Sequence, residues 1–173
     1  MKLSRRSIFI IVTIILTIAL DQITKIIVRA QVVAGSQTEI FGELLSLHNV
    51  ENTGAFLGMG SDLNPTLKLI LLLILPVVVL GFVLRYVFKD KNLDNWSLFA
   101  FASIIGGGIA NVYDRFAYGS VTDFLHMKLT DTLRTGIFNM ADLSVTTGMI
   151  ILVFISFRKK KTNDEEAEAV SNA

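Results

Sequence analysis

The sequence predicts an all-α membrane protein, with four transmembrane helices and a small extracytoplasmic β-sheet segment. Three observations predict it. The 173 residues are 52% hydrophobic with a mean hydropathy of +0.59, too apolar for an ordinary soluble domain of this length. Four apolar runs each approach the roughly 20 residues needed to cross a bilayer. Between the first two lies a glycine-punctuated stretch whose short alternations suit strands.

Span one is expected over about 7–28. Lys2, Arg5 and Arg6 precede it, as in a secretory leader, but no small-residue cleavage site follows. It is therefore expected to stay uncleaved. Residues 30–65 carry Gly35, Gly42, Gly54, Gly58 and Gly60 and no run long enough to span. They read as a folded outer segment on the bilayer, with strands within Thr38–Val50.

Span two, 67–88, is uncharged from Leu69 to Leu75 and is expected to kink at Pro76. Span three, 96–113, carries Gly106, Gly107, Gly108 and Ala110, a small-residue surface for close packing. A polar outer loop, 114–136, leads to span four, 137–157, which Arg158 to Lys161 closes. Residues 1–161 read as one integral membrane domain, and the acidic 162–173 as a disordered cytoplasmic tail. Four spans put both termini on one side. The basic clusters at 2–6, 85–91 and 158–161 fall there too, which makes that side cytoplasmic.

Composition removes several chemistries. The chain has no Cys, so disulfides, thiolate nucleophiles and Cys-ligated metals are excluded. Only His48 and His126 are available, and no acidic motif surrounds either. Arg158 to Lys161 is an orientation anchor, and nucleic-acid binding explains it poorly. The glycine triplet sits mid-span with no basic partner, which favours packing over phosphate binding.

The remaining polar residues converge. Asp21 and Lys25 lie near the outer end of span one, an oppositely charged i, i+4 pair. Asn111, Asp114 and Arg115 share one face at the outer end of span three. Asn139 and Asp142 open span four, and Asp123 lies in the loop between. An ionisable group at the edge of an apolar span is a functional hypothesis that needs a named partner. For Asp142 that partner is Asp123. Two carboxylates held close share a proton, so one activates water while the other polarises a carbonyl. Peptide hydrolysis without Ser, Cys or metal needs that machinery. Asn52, Asn111 and Asn139 offer amide donors to the acids or to substrate carbonyls. Lys25 and Arg115 read as counter-ions of Asp21 and Asp114. Taken alone, Asp142 suits a buried structural acid equally well, Asp123 an exposed loop acid, and Asn52 to Ala55 a plain turn.

The ordered set Asp21-Gln22-x-x-Lys25, Asn52-x-Gly54-Ala55, Gly106-Gly107-x-x-x-Asn111-x-x-Asp114-Arg115, Gly119-x-Val121-x-Asp123-Phe124 and Phe138-Asn139-x-Ala141-Asp142 resembles the motifs of the lipoprotein signal peptidase family, signal peptidase II, over about 8–157. The resemblance implies a monomeric aspartic endopeptidase of the bacterial inner membrane, without cofactor or metal. Its substrates would be diacylated prolipoproteins, cut N-terminal to the lipid-modified cysteine, and globomycin-type inhibitors would block it. Asp123 and Asp142 would be catalytic. Asn52, Gly54, Asn111, Arg115 and Asn139 would shape the site, with Asp21, Lys25 and Asp114 as support. The outer segment would form a small sheet and a short interfacial helix. Two features depart from the pattern: Phe56 directly follows Ala55, and the loop 125–137 carries Lys128, Asp131 and Arg134. Two rivals remain. One is a metal-dependent hydrolase using Asp114, Asp123 and Asp142 as oxygen ligands. The other is a proton-coupled transporter or channel, disfavoured because the cytoplasmic halves of the spans are almost bare of polar groups.

Overall fold

The structure, a computed structural model, describes residues 3–55 and 58–171, with side chains through Arg158. Phe56 and Lys2 thus lie outside the described residues. Among the described residues, four helical segments are long and apolar enough to cross a membrane: Arg5–Gln31, Pro65–Lys89, Asn95–Tyr118 and Met140–Arg158. Beside them stands a four-stranded antiparallel sheet in the order β1-β2-β3-β4.

Helix α1, Arg5–Gln31, begins where the Ser4 hydroxyl accepts from the Ser7 N–H. Strands β1, Gln37–Phe41, and β2, Leu45–Asn52, follow as a hairpin, as the alternation in 38–50 predicts. Among the described residues of 53–64, Gly58 is 3-10 helical and the rest is turn, bend or irregular. Residues 56–57, beside Gly58 in the segment where a short interfacial helix is expected, lie outside the described residues.

Span two is built from α2, Pro65–Lys68, a widened π turn, Leu69–Ile74, and α3, Leu75–Lys89. The expected disturbance at Pro76 takes this form. Pro76 has no N–H for the Leu72 carbonyl, and the Leu75 N–H reaches back to the Ile70 carbonyl. The helix re-registers instead of breaking.

Helix α4, Asn95–Tyr118, is the central element and packs on α1, α3 and α5. Its glycine triplet faces all three. A Cβ at Gly106 would meet Thr17 and the Ile14 carbonyl of α1, one at Gly107 the Ala141 carbonyl of α5, and one at Gly108 Leu80 of α3. Successive helical residues point about 100° apart, so three glycines in a row serve three neighbours. Away from the site, Ile10, Val87, Leu98, Ala102 and Ile105 form the buried apolar core. The outward faces remain apolar, with Leu16, Phe82 and Phe154 more than 60% exposed, which suits lipid.

Two expected boundaries are corrected. Helix α4 does not stop at 113 but continues to Tyr118, where Gly119 adopts φ 76° and ends it. The charge of Asp114 is met inside the bundle, so it is no signal to stop. The expected loop 114–136 then holds two strands, β3, Val121–Lys128, and β4, Arg134–Phe138. Helix α5, Met140–Ser171, starts after β4.

Candidate active site

The sheet and the helix ends assemble the site jointly. Strand β3 pairs with β2 in the register Asn52↔Val121, Glu51↔Thr122 and Val50↔Asp123. This non-local pairing brings Asn52 to Asp123, a residue only 4% exposed. The Asn52 amide donates to Asp123 Oδ2 at 2.9 Å, and the Asn139 amide donates to Oδ1 at 2.6 Å. Asn52 also turns its own loop: its Oδ1 accepts from the Gly54 N–H and its Nδ2 donates to the Ala55 carbonyl. Gly54 has no room for a side chain, since a Cβ would lie 2.6 Å from the Gly58 and Met59 carbonyl oxygens.

Asp142 sits in the first turn of α5. Asn139 and Asp142 cap each other. The Asp142 N–H donates to Asn139 Oδ1 at 2.9 Å, and the Asn139 N–H donates to Asp142 Oδ2 at 3.3 Å. This is the reciprocal capping box with Asp in the acidic role. The Asn111 amide donates to Asp142 Oδ1 at 2.9 Å. Fully buried Asn139 thus serves both acids, one through its side-chain NH2 and the other through its backbone and carbonyl.

Behind the acids lies a buried charge cluster. Lys25 Nζ is 2.7 Å from Asp21 and 2.8 Å from Asp114, and all three side chains have no solvent exposure. Lys25 also donates to Asn111 Oδ1 at 2.9 Å, which fixes that amide with its NH2 toward Asp142. Asp21 accepts from the Ala141 N–H at 2.8 Å, tying α1 to the start of α5. The expected Asp21–Lys25 pair is present. The expected Asp114–Arg115 pair is not: adjacent helical residues diverge, and Asp114 pairs with Lys25 and Arg29 instead. Arg115 donates to the Gly54 carbonyl at 3.0 Å and to the Asn111 carbonyl at 3.3 Å, pinning the Asn52 loop to α4.

Electrostatics follow from burial. The Asp123 carboxyl is pushed up to about 6, chiefly by desolvation, with the charge of Asp142 adding. The two amide donors from Asn52 and Asn139 act against that rise. Asp123 therefore keeps its proton up to about pH 6, beside the second carboxyl. An apolar groove of about 230 Å³ opens beside Asp142, lined by Met127, Thr135, Phe138, Leu143 and Thr146.

The structure brings together all ten residues singled out from sequence. Asp114 is taken up by two cations, so the three-carboxylate set of the metal rival is not assembled. Among the described residues no group of three or more His, Cys, Asp or Glu is placed to hold a metal ion. Sequence reasoning quoted Gln22 within the motif Asp21-Gln22-x-x-Lys25 without giving it a role, and it missed Arg29, Glu51 and Thr122. Gln22 donates to Asp21 and Asp114, and Arg29, Glu51 and Thr122 form a hydrogen-bonded set beneath β3. The only signal for Glu51 and Thr122 was proximity in sequence to Asn52 and Asp123.

The family described as signal peptidase (SPase) II matches residues 13–158. The lipoprotein signal peptidase of Borrelia duttonii (strain Ly) is 35% identical over 150 residues, covering 83% of this chain and 87% of that protein. That of Gloeobacter violaceus is 32% identical over 157 residues, covering 91% and 86%. Among solved structures, a bacterial membrane enzyme determined by the in meso method at 2.3 Å resolution superposes with a TM-score of 0.77 at 26% identity, covering 89% of this chain and 90% of that one.

Proposed function

The chain belongs to the signal peptidase II family, and from that premise we propose that it is an aspartic endopeptidase of the bacterial cytoplasmic membrane, cutting diacylated prolipoproteins on the N-terminal side of the lipid-modified cysteine. The observation that carries the reading is Asn139, which holds Asp123 and Asp142 at once by hydrogen bonds of 2.6–3.3 Å.

The chemistry follows from two buried acids sharing one proton. The ionised carboxyl takes a proton from water, and the water oxygen attacks the scissile carbonyl carbon. The protonated carboxyl donates to the developing oxyanion. Collapse of the tetrahedral species breaks the C–N bond, and the proton first taken from water passes to the leaving amine. Asn52, Asn111 and Asn139 keep the carboxyl oxygens aimed without adding charge. The apolar groove beside Asp142 and the lipid-facing surfaces of α1 and α5 support approach of the scissile bond from within the bilayer. The enzyme acts as a monomer, with the sheet and both acids at the extracytoplasmic face and both termini in the cytoplasm. A globomycin-type inhibitor would occupy the cleft between the acids.

The test is cleavage of a synthetic diacylated prolipoprotein peptide in detergent by wild type, Asp123→Asn and Asp142→Asn, with chelator present throughout. Wild type alone is expected to cleave. Full cleavage by either folded variant sinks the dyad, and loss of wild-type activity on chelation returns the metal rival.

A further inference from the structure

We propose that Arg29 is a positioning residue for Asp123, holding strand β3 in place through the Thr122 hydroxyl. This rests on the reading of Asp123 and Asp142 as the catalytic pair. Arg29 lies in the last turn of α1. Its contacts are not those of a headgroup anchor. Nε donates to Thr122 Oγ1 at 2.7 Å, and Nη2 lies 3.4 Å from Asp114 Oδ2. The guanidinium sits 4.1 Å from the Tyr118 ring centroid, so its plane is held as well as its nitrogens.

Thr122 is fully buried and completes the arrangement by donating to Glu51 Oε1 at 2.7 Å. Glu51 is its cross-strand partner in the β2–β3 register and also accepts from the Ser120 hydroxyl. Alternate residues of a strand face opposite sides, so the hydroxyl of Thr122 is gripped from below while Asp123 presents its carboxyl above. Each acid then hangs on a cation of α1. Lys25 reaches Asp142 through Asn111, and Arg29 reaches Asp123 through Thr122. Asp114 touches both cations, at 2.8 and 3.4 Å, and gives the two supports one reference point on α4. Arg29 touches no reacting atom. What it sets is where β3 stands relative to the first turn of α5, and hence the separation of the acids.

The experiment measures kcat and KM for the diacylated peptide with full-length Arg29→Met, Thr122→Val, Thr122→Ser and the Arg29→Met/Thr122→Val double variant, beside Asp123→Asn. Thermal unfolding of each reports the folded fraction. The Met and Val variants are expected to lower kcat per folded enzyme by about tenfold to a hundredfold, as a small misplacement of a reacting group does, with KM unchanged. Thr122→Ser, which keeps the hydroxyl, is expected to restore kcat. The double variant is expected to be no worse than either single one, since both remove the same link. The inference is overturned if Arg29→Met lowers only the unfolding temperature, if Thr122→Ser fails to restore turnover, or if the two losses multiply. Cleavage by Asp123→Asn would overturn the dyad itself. An inactive Asp123→Asn beside a normal Arg29→Met overturns the Arg29 inference alone.

Discussion

Replacing Asn139 by Ala removes two things at once, and their sizes follow from the contacts. The first is the cap of α5, worth about 1 kcal/mol. The second is the 2.6 Å donor to the buried Asp123 carboxylate, worth about 1.5–3 kcal/mol when the carboxylate is ionised. Asn139→Ala is therefore expected to lose about 2.5–4 kcal/mol above the Asp123 pKa and distinctly less below it, where no ionised oxygen lacks a partner. The sign of the kinetic effect is also fixed. The Asn139 amide favours the charged form of Asp123, whose carboxyl stands at about 6. Without it the proton is held more tightly, and with Asp123 as the carboxyl that takes the proton from water the acid limb of kcat/KM is expected to move up by about 1–2 pH units. Asn139→Ser separates the two roles. Ser keeps a cap and should recover about 1 kcal/mol of stability, but it offers no amide to Asp123. The assays are unfolding in detergent at pH 5 and pH 8 and a kcat/KM profile across that range. If Asn139→Ser recovers activity along with stability, or if the acid limb stays put in Asn139→Ala, the bridging role is refuted.

Four further outcomes are expected. Because the folded-state pKa of Asp123 is about 6 against an ordinary 3.8, the folded protein holds a proton that the unfolded chain releases. Stability should fall by up to about 3 kcal/mol as pH rises from 4 to 7, and Asp123→Asn should flatten that slope in melting experiments. Gly107→Ala puts a methyl 2.5 Å from the Ala141 carbonyl and should displace the start of α5, lowering both stability and cleavage. Gly81→Ala, with nothing within 4 Å, should be neutral or stabilising by up to about 1 kcal/mol in the same assays. Lys25→Met leaves Asp21 and Asp114 buried without their shared cation and should cost about 3–5 kcal/mol, read as loss of folded protein; adding Asp21→Asn and Asp114→Asn should restore much of it.

Hydropathy and spacing made the four spans and the convergence of polar residues legible, because a bilayer imposes length and an apolar surface on each helix. The hairpin in 37–52 was legible from local alternation. Strands β3 and β4 were not. Val121–Lys128 pairs with residues 69 to 82 positions earlier (Asn52↔Val121 to Leu45↔Met127), and no local pattern encodes that register. Asp114 was placed at the right end of the right helix but given the wrong partner. A one-dimensional reading pairs it with its neighbour Arg115, whereas the bundle offers Lys25 and Arg29 from another helix. Arg29 itself was invisible for a related reason. A cation at the end of a span is usually a lipid anchor, and only the tertiary contact with Thr122 says otherwise.

The ion pair between Asp21 and Lys25 bears on how the protein enters the membrane in the first place. Both charges belong to one helix, one turn apart and 2.7 Å from each other. Asp114 is synthesised about 90 residues after Lys25, roughly 5–20 s later at ordinary translation rates. A first helix that enters lipid during that interval brings its own counter-charge with its lysine. Had nature put only Lys25 on this helix and both aspartates on the third, the nascent chain would have carried an unmatched cation into hydrocarbon and waited there for its partners. The redundancy of two carboxylates around one ammonium is thus also a matter of timing: one accompanies the lysine through insertion, and the other arrives with the helix that completes the bundle.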